Sequence, residues 1–287
     1  MIKKYLVQSL LGLICLLSVS ALPAQQSDPL VLGIFPRRSM QVTTNMFTPL
    51  ADYLSRKLHR PVRFETTYDF ASFWEQVEHQ HYDIVHYNQF HYLRSHKQSG
   101  YQVIAKNEEF GSGTIAGAIV VRSDSGIQSL QDLKGKKIVF GGNRLAMQAY
   151  ISATYLLRMA GLKSGDYFEQ FALNPPKAAI ATYYRQAAAA GTGDHVLELS
   201  RVKQEIDPDS MKYIAKGKPI AQLPWAVKAD MPPLLIKQIS TLLTSLHHSD
   251  EGRKLLGQMR LSNILPATDS DYDESRRVIK TVLDEDL

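Results

Sequence analysis

Residues 28–88 alternate strand-like and helix-like patterns through five successive segments. "DPLVLGIF" (28–35) is a continuous apolar run closed by Pro36, the pattern of a strand buried on both faces. In "NMFTPLADYLSRKLHR" (45–60), Met46, Leu50, Tyr53, Leu54 and Leu58 recur at helical spacing, and Pro61 ends the run. "VRFETTY" (62–68) alternates like a strand. "DFASFWEQVEHQ" (69–80) predicts a helix with Phe70, Phe73, Trp74 and Val77 on one face, and "YDIVHYN" (82–88) a third strand. Strands separated by helices cannot pair as tight hairpins. They need crossovers, which lead to a parallel sheet covered by helices.

The later chain repeats the theme. "AGAIVVRSD" (116–124) predicts a strand, and "SLQDLKGKKIVFGG" (129–142) a short helix and another strand. "NRLAMQAYISATYLLRMAG" (143–161) predicts one long helix, capped by Asn143 and ended by Gly161. "PKAAIATYYRQ" (176–186) continues as helix, "AAAAGTGD" (187–194) as a small-residue strand and turn. The segments 232–259 and 271–283 are helical in pattern. No stretch has the composition of a flexible linker, so two α/β lobes crossed by the chain more than once fit the 287 residues better than separate beads.

The opening "MIKKYLVQSLLGLICLLSVSALPAQQ" has another character. Lys3 and Lys4 precede an apolar run from Leu10 to Leu17, followed by small residues at Ala21 and Ala24. This is the layout of a secretory signal peptide over 1–24, too short for a stable membrane span, and it directs the rest of the chain to the periplasm. Ile14 stands before Cys15 where a lipoprotein signal has a small residue, so cleavage after Ala24 is expected to remove the chain's one cysteine. The mature protein then has neither a disulfide nor a cysteine nucleophile. It also loses Lys3 and Lys4 from a formal net charge of +5. The remaining positive bias is mild and unclustered, which argues against nucleic acid as a partner.

Between 81 and 96, His81, His86, His91 and His96 fall five residues apart. On a helix, each such step turns by about 140°, and on a strand it changes face. Zinc motifs instead space ligands three or four apart on a helix. The segment therefore reads as a strand with Ile84 and Val85 in the core, running into a helix start. Ligands of open parallel sheets bind beyond the carboxyl ends of strands, near helix N-termini. Tyr87, Asn88 and Gln89 are thus expected at a pocket, with His91 within reach, although Asn88 could equally serve as a helix cap.

Arg37 and Arg38 follow the first strand, where they could hold an anion. Gly142, Asn143 and Arg144 lie between a strand and a helix start, which lets a ligand approach the backbone. The Gly-Lys-Ser/Thr ending of a nucleotide-binding loop is missing there. Gly193 and Asp194 close another strand, beside His195. No nucleophile elbow and no metalloprotease helix is present, and neither a catalytic residue nor a cofactor is expected. Trp225 is assigned to packing near a second crossing.

Taken in order, "VLGIFP", "MFTPLADYLSRKLHRPVRF", "YDIVHYNQFHYLRS", "VVRSDSGIQSLQDLKGKKIVFGG" and "PWAVKADMPPLLIKQISTLLTSL" resemble the phosphate/phosphite/phosphonate-type substrate-binding proteins of bacterial ABC transporters. The resemblance implies the two-lobed type 2 periplasmic-binding-protein fold, each lobe a mostly parallel sheet flanked by helices, joined by two crossing strands. Residues 28–113 with 223–287 would form one lobe and 114–222 the other. It further implies a ligand in the interlobe cleft and delivery to a membrane permease. Phosphonate binders of this family carry a Ser-Thr-Ser run where this chain has Asn143–Met147. A family tyrosine falls near Ile115, another appears as Phe70, and an aspartate falls near Ala188. The scaffold is shared while these ligand contacts differ.

The expected function is a monomeric periplasmic solute-binding protein that captures a small ligand, an anion other than a typical phosphonate, for an ABC transporter. Phe35, Arg37, Arg38, Phe70, Tyr87, Asn88, Gln89, His91, Gly142, Asn143, Arg144, Gly193 and Asp194 are the candidate contacts. Alternatives are a ligand sensor that signals to a membrane histidine kinase, a metal-binding protein using His86 and His91 with His195, and an enzyme using Asp194 and His195.

Overall fold

A computed structural model describes residues 28–287. The expected signal peptide, with Cys15, lies outside the described residues. The chain first forms β1 (Leu30–Ile34), α1 (Met40–Leu58), β2 (Val62–Glu65), α2 (Phe70–Glu78), β3 (Ile84–His86), α3 (Gln89–Ser99) and β4 (Gln102–Glu108). β1 pairs in parallel with both β2 and β3, as the alternation of strand and helix requires. All five residues of β1 are buried, which explains its unbroken apolar sequence. Gly33 is needed within it because the Tyr82 ring lies on the strand: a Cβ at Gly33 would stand 2.3 Å from Tyr82 Cγ.

The helix after β1 starts five residues earlier than its pattern predicts, at Met40. It runs through Pro49, which has no N–H for the helix ladder. Thr43, Met46, Phe47, Leu50, Ala51, Tyr53 and Leu54 are buried along it, so tertiary packing outweighs the interior proline.

β5 (Thr114–Ile115) then leads into a second sheet made from β6 (Gly117–Arg122), β7 (Lys137–Gly141), β8 (Phe168–Ala172), β9 (Ala189–Gly193) and β10 (Met211–Lys216). Its helices are α4 (Ala153–Met159), α5 (Pro175–Tyr183) and α6 (Ser200–Glu205). The strand order is β10-β6-β9-β7-β8, with β7 parallel to β8 and β9, and β6 antiparallel to β9 and β10. The long helix expected over 143–161 opens differently. Residues Met147–Ser152 form a π turn before α4, with Ile151 N–H bonded to the Ala146 carbonyl. Asn143 does not cap this helix; its Oδ1 accepts from Leu145 N–H at 2.9 Å and closes a local turn.

The chain returns through β11 (Ile220–Ala221) and β12 (Pro224–Val227), and finishes with α7 (Pro233–Thr244), α8 (Asp250–Met259), β13 (Asn263–Pro266) and α9 (Asp273–Leu283). β12 enters the first sheet between β3 and β4, and the order there is β13-β4-β12-β3-β1-β2. β5 and β11 pair antiparallel, with Ile220 opposite Ile115, as a two-stranded ribbon between the sheets. The fold is thus the expected α/β architecture of two helix-flanked sheets and two crossing strands, but both sheets are mixed rather than mostly parallel, because β12, β13 and β4 in one and β6 and β10 in the other join through antiparallel pairings.

Two apolar layers lie against the six-stranded sheet. One joins α1, α7 and α8 to Leu32, Ile84 and Trp225. The other gathers Phe73, Tyr82, Tyr87 and Phe90, then continues through Ile279 of α9 to Tyr150, Leu157 and Phe140 in the second half. α9 consequently touches α3 on one side and the π turn and α4 on the other. Gly33→Ala should force Tyr82 out of its position and lower folding stability by about 1–3 kcal/mol, read as a lower urea midpoint at unchanged slope.

Candidate functional site

β3 ends at His86, and the five residues that follow it, Tyr87 to His91, divide between the candidate site and the core. Burial pattern and hydrogen bonding separate them. Tyr87 is fully buried, and its hydroxyl shares a 2.7 Å hydrogen bond with Ser95 Oγ. Burial drives its pKa well above the ordinary phenol range, so it stays neutral. Gln89 is also fully buried, and its Nε2 donates to the Ala221 carbonyl of the ribbon at 2.8 Å. Of the three residues expected at a pocket here, only Asn88 faces the second half. Tyr87 turns into the core and Gln89 ties down the crossing strand.

The Asn88 carboxamide is fixed by all of its partners. Its Oδ1 accepts from His91 N–H at 2.9 Å, capping α3, and lies 2.8 Å from His91 Nδ1. Its Nδ2 donates to the Leu145 carbonyl at 3.1 Å. Leu145 belongs to the loop between β7 and the π turn, so this bond spans the two halves. The amide oxygen has no hydrogen to give, so His91 carries its proton on Nδ1. Burial, with Arg94 nearby, holds the His91 pKa down at about 3, and the ring is neutral.

An aromatic wall adjoins Asn88. His91 stacks on Phe70 at 6.2 Å and meets Trp74 at 5.1 Å. Phe70 in turn packs edge-on to Phe35 at 6.0 Å. From the other half, Leu145 and Ala146 pack against the same apolar cluster. The π turn starts directly after them, and the first N–H groups of a helix have no partner within it. Gln148, in that first turn, keeps both polar atoms of its amide buried without a hydrogen bond. Sequence reasoning missed Trp74, Leu145 and Gln148 because each reads there as an ordinary helix-face residue.

Other candidates lie elsewhere. Arg144 bonds Glu169 Oε2 at 2.5 Å and the Tyr150 hydroxyl at 2.7 Å, so its charge is matched within its own half. Gly142 adopts φ 119° and donates to the Ala172 carbonyl at 2.8 Å, while Asn143 is exposed. Gly193 pairs with Gly117, and Asp194 is bonded both ways to Ala116, through its N–H and its Oδ1. His195 stacks on Phe110, 5.3 Å away across the halves. Arg37 bonds Glu109, and Arg38 lies beside it, both at the end of β1.

The two histidines of the metal reading are each engaged by other partners. His86 is stacked on Trp225 at 4.3 Å, with Nδ1 2.9 Å from the Pro224 carbonyl. It is built into the sheet, whereas His91 packs under the aromatic wall. Among the described residues, no three His, Cys, Asp or Glu side chains are close enough to share a metal ion.

A model of the family described as ABC transporter, phosphonate, periplasmic substrate-binding protein matches residues 32–272. Solved structures repeat the fold at low identity. A binding-protein component of an ABC phosphonate transporter from Pseudomonas aeruginosa superposes with TM-score 0.75 at 16% identity, covering 89% of this chain and 86% of its own. A Prochlorococcus marinus protein in complex with methylphosphonate gives TM-score 0.77 at 14% identity, covering 90% and 99%. A Xanthomonas citri protein bound to ATP gives TM-score 0.76 at 14% identity, covering 90% and 99%.

Burial also lowers the His86 pKa to about 3. An unfolded histidine titrates near 6.5 and binds a proton that the folded one refuses. His86 therefore contributes its full stabilisation above about pH 6.5 and loses it as pH falls toward 3. His86→Gln should flatten the stability–pH curve between pH 6.5 and 4 by up to about 1.4 kcal/mol per pH unit, measured by urea unfolding at a series of pH values.

Proposed function

The chain belongs to the phosphonate-type periplasmic substrate-binding proteins of ABC transporters, and from that membership we propose that it closes around a small anion where Asn88 meets Leu145. Proteins of this family are periplasmic, bind small ligands and deliver them to transporter permeases; they are transport components rather than enzymes. The observation that carries the reading is the hydrogen bond between Asn88 and Leu145, because it joins a strand-end helix start of one half to a helix-start loop of the other.

Residues 28–113 with 223–287 form one moving lobe in this reading, and 114–222 the other, with the β5–β11 ribbon as hinge. The ligand shifts the open–closed equilibrium through contacts made only on closure. Asn88 and the first N–H groups of the π turn supply donors to an anionic group. Phe35, Phe70, Trp74 and His91 supply an apolar wall of stacked and edge-on rings for the rest of the ligand. Methylphosphonate and ATP, bound by two proteins of the same fold, both carry phosphorus oxyanions, which supports an anion here. Neutral His91 and matched Arg144 leave recognition to N–H donors rather than to free cations, and this favours an organic anion with an apolar body over bare phosphate.

The test is a melting-temperature panel on the mature protein. It includes phosphate, alkylphosphonates, arylphosphonates, alkylsulfonates, carboxylates and amines. A saturable rise with an organic anion is expected. Asn88→Ala should weaken that binding roughly tenfold, the loss of about one hydrogen bond to a charged group. Stabilisation by amines alone, or turnover of any compound that binds, would overturn the reading.

A further inference from the structure

A small cavity lies within the six-stranded half, at the carboxyl ends of β1, β3 and β4 and against α1 and α8. Its volume is about 20 Å³. A single water needs about 10–15 Å³ on the same scale, so there is room for a small ion and not for an organic ligand. All of its lining residues come from this half, and none of the Asn88, His91 or Leu145 cluster is among them.

Arg37, Arg38 and Arg260 line this cavity, and Glu109 is the one carboxylate that does. Glu109 Oε1 already accepts from Arg37 at 3.3 Å and from Asn107 Nδ2 at 3.1 Å. Burial alone would raise the Glu109 pKa, yet Arg37 and Asn107 outweigh it and keep the group ionised. No ion pair joins Arg38 or Arg260 to a carboxylate among the described residues. The remaining wall adds no negative charge: neutral His86, Asn107, Thr43 and apolar groups.

The start of α1 adds further positive potential. Ser39 makes no side-chain capping bond, and the first turn has no acidic residue. A 19-residue helix thus begins two residues after Arg38 with no compensating carboxylate, and Thr43 and Phe47 are the residues it places on the cavity wall. Three guanidinium groups and a helix start against one carboxylate repel one another unless a counter-charge sits among them. Burial, and then the nearby charge of Arg37, pulls the Arg38 pKa down to about 10. A guanidinium ordinarily stays protonated far above that.

We propose that this cavity is a binding site for one small inorganic anion, of chloride to sulfate size, held by Arg37, Arg38 and Arg260. The ion neutralises the end of β1 and braces the wall that carries Phe35, without touching the transported ligand. It stabilises the folded chain whether or not the interlobe ligand is present.

The experiment uses the mature protein with no organic ligand. Melting temperature is measured against sodium chloride and sodium sulfate, at constant ionic strength made up with sodium gluconate, whose anion is too large for the cavity. A saturable rise is expected with chloride or sulfate. Arg38→Gln and Arg260→Gln should each raise the apparent dissociation constant at least tenfold, whereas Asn88→Ala should leave it unchanged. Arg260 is exposed, so its variant folds even where that of Arg38 does not. A rise that does not saturate, or one retained in full by Arg260→Gln, would overturn the proposal. A rise lost in Asn88→Ala would assign the anion to the interlobe site instead.

Discussion

One carboxamide does three jobs at the junction of the two halves. Asn88 caps α3, orients His91 and reaches the Leu145 carbonyl. A hydrogen bond of this kind contributes only about 0.5–1.5 kcal/mol net. What matters more is that the three are geometrically inseparable. The cap fixes the amide plane, the plane fixes the His91 tautomer, and the Nδ2 direction that remains points at the second half. A residue that capped the helix without a second polar atom would preserve α3 and lose the contact across the cleft.

Behind that junction the first half is held by polar groups that have no freedom left. Trp225 Nε1 donates to Asn107 Oδ1 at 2.8 Å, Asn107 Nδ2 donates to Glu109, and the His86 ring lies flat on Trp225. These groups come from β3, β4 and β12, which are neighbours in the sheet but distant in sequence. Burying them so completely is costly unless every atom is satisfied. The network therefore specifies strand register as well as packing, and it places Glu109 where the arginines at the end of β1 can meet it.

The strand–helix alternation made the first half legible from residues 28–88, because continuous apolar runs and helical spacing are both strong signals. Strands β4, β8, β10 and β13 were not recognised. "FEQFA" shows why: Phe168 and Phe171 of edge strand β8 are exposed, so its apolar residues follow no inward period. The π turn was illegible for another reason, since one extra residue in a helical turn changes no propensity. Within residues 87–89, the division of labour is not legible in the sequence. Tyr87, Asn88 and Gln89 are consecutive, and only the turn geometry after β3 decides that the first faces the core, the second the other half and the third the ribbon. Arg144 stands among the candidate contacts in the sequence because its partner, Glu169, lies on a strand that the sequence does not reveal.

α9 lies against α3 and also against the π turn and α4, and Arg158 reaches the Thr281 carbonyl at its end. In the proposed closure, rotation of one half about the β5–β11 ribbon slides one of these surfaces over the other. The last helix is therefore ballast on the hinge, and its grip enters the same balance as the cleft contacts. Substitutions on α9, far from any bound molecule, can retune how tightly that molecule is held, so affinity in this scaffold can drift through evolution while the residues that touch the guest stay the same.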